Sequence, residues 1–247
     1  MHRMRFRTPA GAVRVGEYDP DAEVVAAAGR AFDRASVDVL PPCDPSKVVC
    51  VGRNYAAHAD ERDADVPDRP LLFLKPPTAV AGHGDATPLP PNTRVEHEAE
   101  LAVVIGTQAR NLNAGAAMAA VEGYTVANDV SNRTDQDREQ NWVRGKAFDG
   151  SCPLGPVVAT PDEVPDDATV TLEVNGERRQ SGSISQFVFD VPTLLAEITA
   201  FVTLQPGDVV LTGTPPGVGE LTDGDRVAAS VEGVGTLEHT VVREPPA

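Results

Sequence analysis

EHEAELAVVIG (residues 96–106) and GYTVANDVSNRTDQ (residues 123–136) are the stretches from which fold and chemistry are read. Side chains alternate across a strand, so Glu98 and Glu100 share a face that Ala102 and Val104 continue, while Leu101, Val103 and Ile105 line the other. Both faces are apolar beyond Glu100, which predicts a strand buried on both sides. Two carboxylates about 6–7 Å apart, at a rise of about 3.3 Å per residue, then sit where water is scarce. The second stretch carries an apolar run through Tyr124, Val126 and Ala127 into Asp129. Three carboxylates with no cysteine among them suit a hard divalent cation, Mg²⁺ first, with Mn²⁺ or Ca²⁺ as substitutes. An exposed acidic strand edge is the alternative that the spacing alone leaves open.

Upstream, KVVCVG (47–52) reads as a short strand ended by Gly52, and RNYAAHADERDA (53–64) as a short helix with Asn54 near its start. His58 and Glu61 stand three apart and so lie on one side of a turn; a carboxylate beside an imidazole orients it and raises its basicity, as a water-activating base requires. The same pair on a solvent-facing helix would be surface decoration. PLLFLKPPTAV (70–80) is an apolar strand whose Lys75, a scarce residue in this chain, is expected to aim into a cavity rather than snorkel at a sheet edge, and GHGDATPLPP (82–91) reads as a loop.

Downstream of Asp129, Arg133, Gln136, Arg144 and Lys146 supply cationic and amide donors, with Trp142 and Phe148 to tie that polar run to a core. TVTLEVNGERRQSG (169–182) is a hairpin turning at Asn175-Gly176. A helix starts near Val191, with Leu194, Leu195, Ile198 and Phe201 or Val202 as its apolar face. TGTPPGVG (212–219) lacks the GK[ST] ending of a phosphate loop, and its threonines are free to meet a carboxylate or carbonyl instead. At the other end, MRFRTPAGAVRVGEYD suggests a hairpin and AEVVAAAGRAFDRA (22–35) has helix-forming composition before Pro41-Pro42, so residues 1–42 are expected to form a small α+β domain ahead of a larger one over 45–247.

Taken in order, VGRNYAAHADE, LFLKPPTAVAG, EHEAELAVVIG, GYTVANDVSNR, RGKAFDGSCPLGP and PGDVVLTGTPPGVG resemble the signature blocks of the fumarylacetoacetate hydrolase family, from about Pro45 onward. The resemblance implies an α+β, predominantly β fold, a mixed β-roll or β-sandwich with a few short helices. It also implies a homodimer with one Mg²⁺ or Mn²⁺ held by Glu98, Glu100 and Asp129. His58 and Glu61 fall on the family's catalytic pair on a lid helix, and Lys146 and Gln136 on residues that hold substrate or its developing charge. Thr214 falls in the substrate pocket, and Arg53, Tyr55 and Lys75 lie in matching blocks as substrate-binding candidates. The departure is SNRTDQ, where related sequences more often carry a small residue at Asn132 and an apolar one at Asp135. The implied substrate is a 2-oxo acid and the implied reaction hydrolysis of an acylpyruvate such as fumarylpyruvate, with the ion as Lewis acid for an enolate and His58 activating water. Isomerisation of 2-hydroxyhepta-2,4-diene-1,7-dioate and decarboxylation of a carboxylated oxo acid or oxaloacetate are the alternatives, and a non-catalytic 2-oxo acid binding protein is the reading from another class.

At 247 residues and 26.0 kDa the chain buries a sizeable core without staples, and Cys43, Cys50 and Cys152 show no CxxC spacing, as expected of spectator thiols in the cytoplasm. No apolar run approaches the roughly 18 residues of a membrane span. A formal net charge of −16 argues against a nucleic-acid partner. Lysine occurs only at positions 47, 75 and 146, while acidic runs such as DERDADVPD abound, a pattern that resembles proteins of salt-loving microbes, in which concentrated salt screens self-repulsion. On that hypothesis the thermal midpoint rises between 0.1 and 2 M KCl; a flat or falling midpoint in a thermal melt would dismiss it.

Overall fold

The strand Ala99–Ile105 is buried at every position, as its two apolar faces demand, and it lies deep inside a twelve-stranded sheet. The computed structural model describes residues 1–61 and 65–245. The spatial order of the sheet is Arg30–Asp33, Val24–Ala27, Val13–Asp19, His2–Arg7, Cys152–Ala159, Val121–Asn128, Ala99–Ile105, Val209–Leu211, Val48–Gly52 and Leu71–Lys75, with Asp38–Val39 and Val80–Ala81 paired to its side. A five-stranded sheet, Glu177–Ser183, Thr169–Val174, Arg226–Val231, Gly235–Arg243 and Ala86–Leu89, packs against it. The architecture is predominantly β with short helices.

The two faces of Ala99–Ile105 serve different cores. Leu101 joins Val126 and Val157 in the layer that meets Val170, Leu172, Ala229 and Leu237 of the smaller sheet. Val103 and Ile105 instead pack under the helix Val191–Thr199, against Leu194, Leu195 and Ile198. Val202 completes that face and Phe201 stays exposed. On the opposite side, Ala102 and Val104 share a third cluster with the buried, unbonded thiols of Cys43, Cys50 and Cys152. The glutamates therefore enter the sheet on the side lined by small residues, where there is room for a cavity.

The Asn175-Gly176 turn forms as read, both residues having positive φ, which matches the twist of the flanking strands. Two expectations fail. AEVVAAAGRAFDRA is not helical: Val24–Ala27 and Arg30–Asp33 form a hairpin turning at Ala28-Gly29, followed by a single 3-10 turn, Arg34–Ser36. Sheet pairing to Val13–Asp19 and burial of Val25 override the alanine-rich composition. GHGDATPLPP is likewise not wholly loop, since Ala86–Leu89 pairs in parallel with Gly235–Arg243. His2–Arg7 is hydrogen-bonded to Cys152–Ala159, so the N-terminal strands continue the large sheet.

Candidate metal centre

Glu98, Glu100 and Asp129 are all buried, and one carboxylate oxygen from each lies within 4.8 Å of the others. The convergence follows from strand pairing. Ala99–Ile105 runs antiparallel to Val121–Asn128 with Ala99 opposite Asn128, which carries Asp129 to the end where the glutamates enter, and the Asp129 amide donates to the Glu98 carbonyl at 2.8 Å.

Three cations meet this charge. The Lys146 ammonium donates to Glu98 at 2.6 Å and to Asp129 at 2.7 Å, and Lys75, fully buried, pairs with the other Asp129 oxygen at 2.8 Å. Arg133 bonds Glu96 through Nε at 2.6 Å, Glu98 through Nη2, and Gln136 Oε1 through Nη1 at 2.7 Å. Burial opposes ionisation of Glu98, yet Arg133 and Lys146 outweigh it and hold that carboxyl well below the usual range. Burial also disfavours the Lys146 ammonium, but Asp129 and Glu98 raise its pKa above the ordinary value. Glu100 is different. No described lysine or arginine nitrogen pairs with it, its bond is a 2.5 Å donation from the Gly213 amide, and burial together with the charges of Asp129 and Glu98 pushes its carboxyl well above the usual range. A doubly charged cation is what this donor set lacks, and oxygen-only ligands of this kind fit Mg²⁺ or Mn²⁺.

A hydrogen-bonded frame fixes the backbone from which the ligands project. Gln180, from the hairpin strand Glu177–Ser183, accepts the Ala99 amide at 3.1 Å and His97 Nδ1–H at 2.9 Å with one oxygen, and donates to Thr214 Oγ1 at 2.7 Å and the Pro215 carbonyl at 2.8 Å. Ala99 separates the two glutamates, so this one buried amide braces both. Asn128 accepts the Glu98 amide at 2.8 Å and donates to His239 Nε2 at 2.9 Å, which places the ring proton on Nδ1, facing Thr87. Burial lowers the pKa of both rings, His239 to about 4, so they act as neutral spacers. Asn132 and Asp135 cap one another across the turn bearing Arg133 and Gln136, bonding at 3.3 and 2.8 Å, so the departure from the family pattern forms a matched pair. Gly145 is needed where the turns Arg133–Gln136 and Val143–Lys146 cross: a Cβ there would stand 2.7 Å from that of Gln136.

Over the carboxylates lies a cavity of about 280 Å³, lined by His58, Arg53, Gln136, Lys146 and Thr214, with Leu71, Phe73 and Trp142 as an apolar wall. His58 is 6% exposed, on the helix Ala56–Glu61, and its Nδ1 faces Glu61 Oε2 at 3.3 Å; Glu61 in turn accepts the Gly217 amide at 3.1 and 3.2 Å. Of the helix expected over RNYAAHADERDA, residues 62–64 lie outside the described residues. Two candidates are placed off the cavity. Lys75 sits behind Asp129, against Ser151, and Tyr55 packs edge-on to Phe187 at 5.0 Å. Thr214 lines the cavity, but its hydroxyl proton is engaged by the Ala99 carbonyl at 2.8 Å. Sequence reasoning gave Arg133 only as one of several cationic donors and assigned no role to Glu96, Asn128, Gln180 or His239. Glu96 had a signal, since it extends the alternation of Glu98 and Glu100, and Asn128 and Arg133 lie in the stretch that carries Asp129; Gln180 and His239 come from distant segments and had none.

The chain matches the family described as Fumarylacetoacetate (FAA) hydrolase C-terminal over residues 47–242. It is 45% identical over 222 residues to the mitochondrial oxaloacetate tautomerase FAHD2A of Homo sapiens, covering 85% of this chain and 71% of that one. Among solved structures it is similar to 5-carboxymethyl-2-hydroxymuconate delta-isomerase from Mycobacterium smegmatis, at 42% identity, TM-score 0.92 and full coverage of both chains. It is also similar to fumarylpyruvate hydrolase from Pseudomonas aeruginosa, solved with Mn²⁺ and pyruvate, at 36% identity and TM-score 0.77, over 84% of this chain and 92% of that one.

Two outcomes test the centre. Gln180→Leu leaves the Ala99 amide without its acceptor and should weaken Mn²⁺ binding by about 10–100-fold in calorimetry; an affinity within twofold of wild type would show that the frame does not set the carboxylates. Because Glu100 holds its proton above the usual carboxylate range, cation and proton compete for it. Mn²⁺ affinity should therefore fall as pH is lowered, with protons released on binding in a weakly buffered titration, and a pH-independent affinity would contradict this.

Proposed function

The chain belongs to the fumarylacetoacetate hydrolase family, and on that premise we propose that it is a divalent-metal-dependent enzyme that interconverts the enol and keto forms of a 2-oxo acid. The observation that carries this reading is the placement of His58, a proton carrier, in the same cavity as three convergent carboxylates. Glu98, Glu100 and Asp129 would hold the ion, which when bound supplies Lewis-acid polarisation of the substrate's carboxylate and 2-oxo oxygens.

The remaining steps belong to side chains. With Nδ1 turned to Glu61, the His58 ring keeps Nε2 to accept and return a proton. Glu61, anchored on the Gly217 amide, orients the ring and fixes its tautomer. As the enol hydroxyl loses its proton, C3 of the substrate gains one, so the change is an isomerisation that needs no co-reactant. The Lys146 ammonium and the Gln136 amide offset negative charge as it develops, and the wall of Leu71, Phe73 and Trp142 keeps bulk water from the reacting carbon. Similarity along the full chain to an isomerase, and at 45% identity to a tautomerase, supports this order of preference.

Hydrolytic cleavage of an acylpyruvate is the second reading. What favours it is the carboxylate behind His58, which generation of hydroxide from water requires more than a proton shift does, and the similarity to a fumarylpyruvate hydrolase. In that reaction water adds across the carbon–carbon bond: hydroxide joins the acyl carbon and the proton goes to the departing pyruvate carbon.

With Mn²⁺ supplied, decay of the enol absorbance of oxaloacetate is assayed beside loss of the diketone absorbance of fumarylpyruvate and acetylpyruvate. Acceleration of the first alone selects isomerisation, and loss of the diketone selects hydrolysis. Turnover of none sinks both. In the reaction that is found, His58→Ala should lower kcat by about 10²–10⁴-fold while retaining Mn²⁺, whereas Glu100→Ala should weaken both; full activity in His58→Ala would remove that residue from the mechanism.

A further inference from the structure

Arg53 stands apart from the other cations that line the cavity. Arg133 and Lys146 are already bonded to Glu96, Glu98 and Asp129. Arg53 is exposed at the outer part of the cavity, and among the described residues it has no carboxylate within ion-pairing distance and no hydrogen bond. The other carboxylate of the lining beyond the metal triad, Asp137, is exposed and does not pair with it either. A guanidinium facing a substrate cavity without a partner is a vacant fork for a planar anion.

Its backbone is held in place for that task. Arg53 has φ +57, a left-handed conformation that side-chain-bearing residues seldom adopt, and such strain persists only where neighbours enforce it. Asn54 enforces it. The buried Asn54 amide donates to the carbonyls of Phe189 at 3.0 Å and Thr212 at 2.8 Å and accepts the Phe189 amide at 2.8 Å, while its own carbonyl accepts the Val188 amide at 2.8 Å. Gly213, at φ +98, lies so close that a Cβ on it would meet that of Asn54 at 2.7 Å. A rigid platform thus carries one exposed, charged side chain into the lining of the cavity.

We infer that Arg53 binds a second carboxylate, at the end of the substrate remote from the metal-binding end, and that the protein therefore selects dicarboxylic over monocarboxylic 2-oxo acids. This rests on the proposed 2-oxo acid chemistry and narrows it to a substrate class. The inner end of the cavity takes the 2-oxo carboxylate beside the acidic triad, the aromatic wall covers the carbon chain, and Arg53 is the cation left to recognise what lies beyond. A monoacid of equal length would leave the guanidinium facing an apolar group, losing a charge-assisted pair.

The test compares the Mn²⁺-loaded wild type with Arg53→Gln and Arg53→Lys by calorimetry, using 2-oxoglutarate and 2-oxopentanoate, which have the same chain length and differ in the terminal carboxylate. The expected result is a preference for the diacid in wild type that falls at least tenfold in Arg53→Gln and by less in Arg53→Lys, which keeps the charge but not the fork. An equal loss for both ligands, or an unchanged ratio, would overturn the inference. The diacid-to-monoacid ratio of kcat/KM for fumarylpyruvate against acetylpyruvate, or for oxaloacetate against phenylpyruvate, should move in the same direction. Binding is read without turnover, so the two ideas fail separately. A shifted binding ratio with no turnover sinks the catalytic reading and keeps Arg53 as a diacid contact, whereas turnover with an unshifted ratio does the reverse.

Discussion

Mutual repulsion among three buried carboxylates is the constraint around which the rest of the molecule is arranged. At separations within 4.8 Å and an effective dielectric near 20, each like-charged pair costs about 3–4 kcal/mol. Few folds tolerate several such terms without local compensation. Lys146 lies between Glu98 and Asp129, Lys75 covers the far side of Asp129, and Arg133 joins Glu98 to Glu96. Among the described residues Glu100 is left with an amide donor and no cation of its own. The centre is thus over-acidic at one defined corner, which is the property that makes it a place for a divalent ion rather than a completed salt-bridge network.

Compensating charge does not by itself bring oxygens to one point; the backbone must also be held. Thr212 and Thr214 donate their hydroxyls to the carbonyls of Leu101 and Ala99, and the Gly213 amide between them reaches Glu100, so the TGT segment is stitched along the strand that bears the ligands. Gln180 arrives from the second sheet to meet the same residues, and His239, also from the second sheet, holds Asn128. Packing of the two sheets therefore positions the site, because each contributes side chains that the other needs for satisfied polar groups.

This division explains what was legible in the sequence. The glutamate strand was readable because alternation is a local rule, and the faces of Ala102 and Val104 against Leu101, Val103 and Ile105 follow from it directly. The Asn175-Gly176 hairpin and the helix near Val191 were readable for the same reason. AEVVAAAGRAFDRA misled because propensity in a short alanine-rich segment is weak beside strand pairing. Gln180 and His239 were invisible: 81 residues separate Gln180 from Ala99 and 111 separate His239 from Asn128, and no pattern in either segment marks the partner. Lys75 drew attention through rarity, yet its location behind Asp129 rather than in the cavity depended on how the edge strand Leu71–Lys75 sits against the loop at Ser151.

The rarity of lysine has a physical reading of its own. The chain contains 21 basic residues, and lysine occupies only positions 47, 75 and 146; each of these ammonium groups meets a buried carboxylate, Asp208 for Lys47 and the metal-site acids for the other two. Arginine serves well where a flat fork can lie against carboxylates, as Arg133 does with Glu96 and Glu98. It is too broad for the gap between Glu98 Oε2 and Asp129 Oδ2, where Lys146 contacts both within 2.7 Å while the same ammonium stands over the ring of Phe73, 5.0 Å from its centre. A compact ammonium can stand close to two converging oxygens without filling the cavity in front of them. In a chain whose surface uses arginine for its positive charge, the lysines that remain are placed where an ammonium does what a guanidinium cannot.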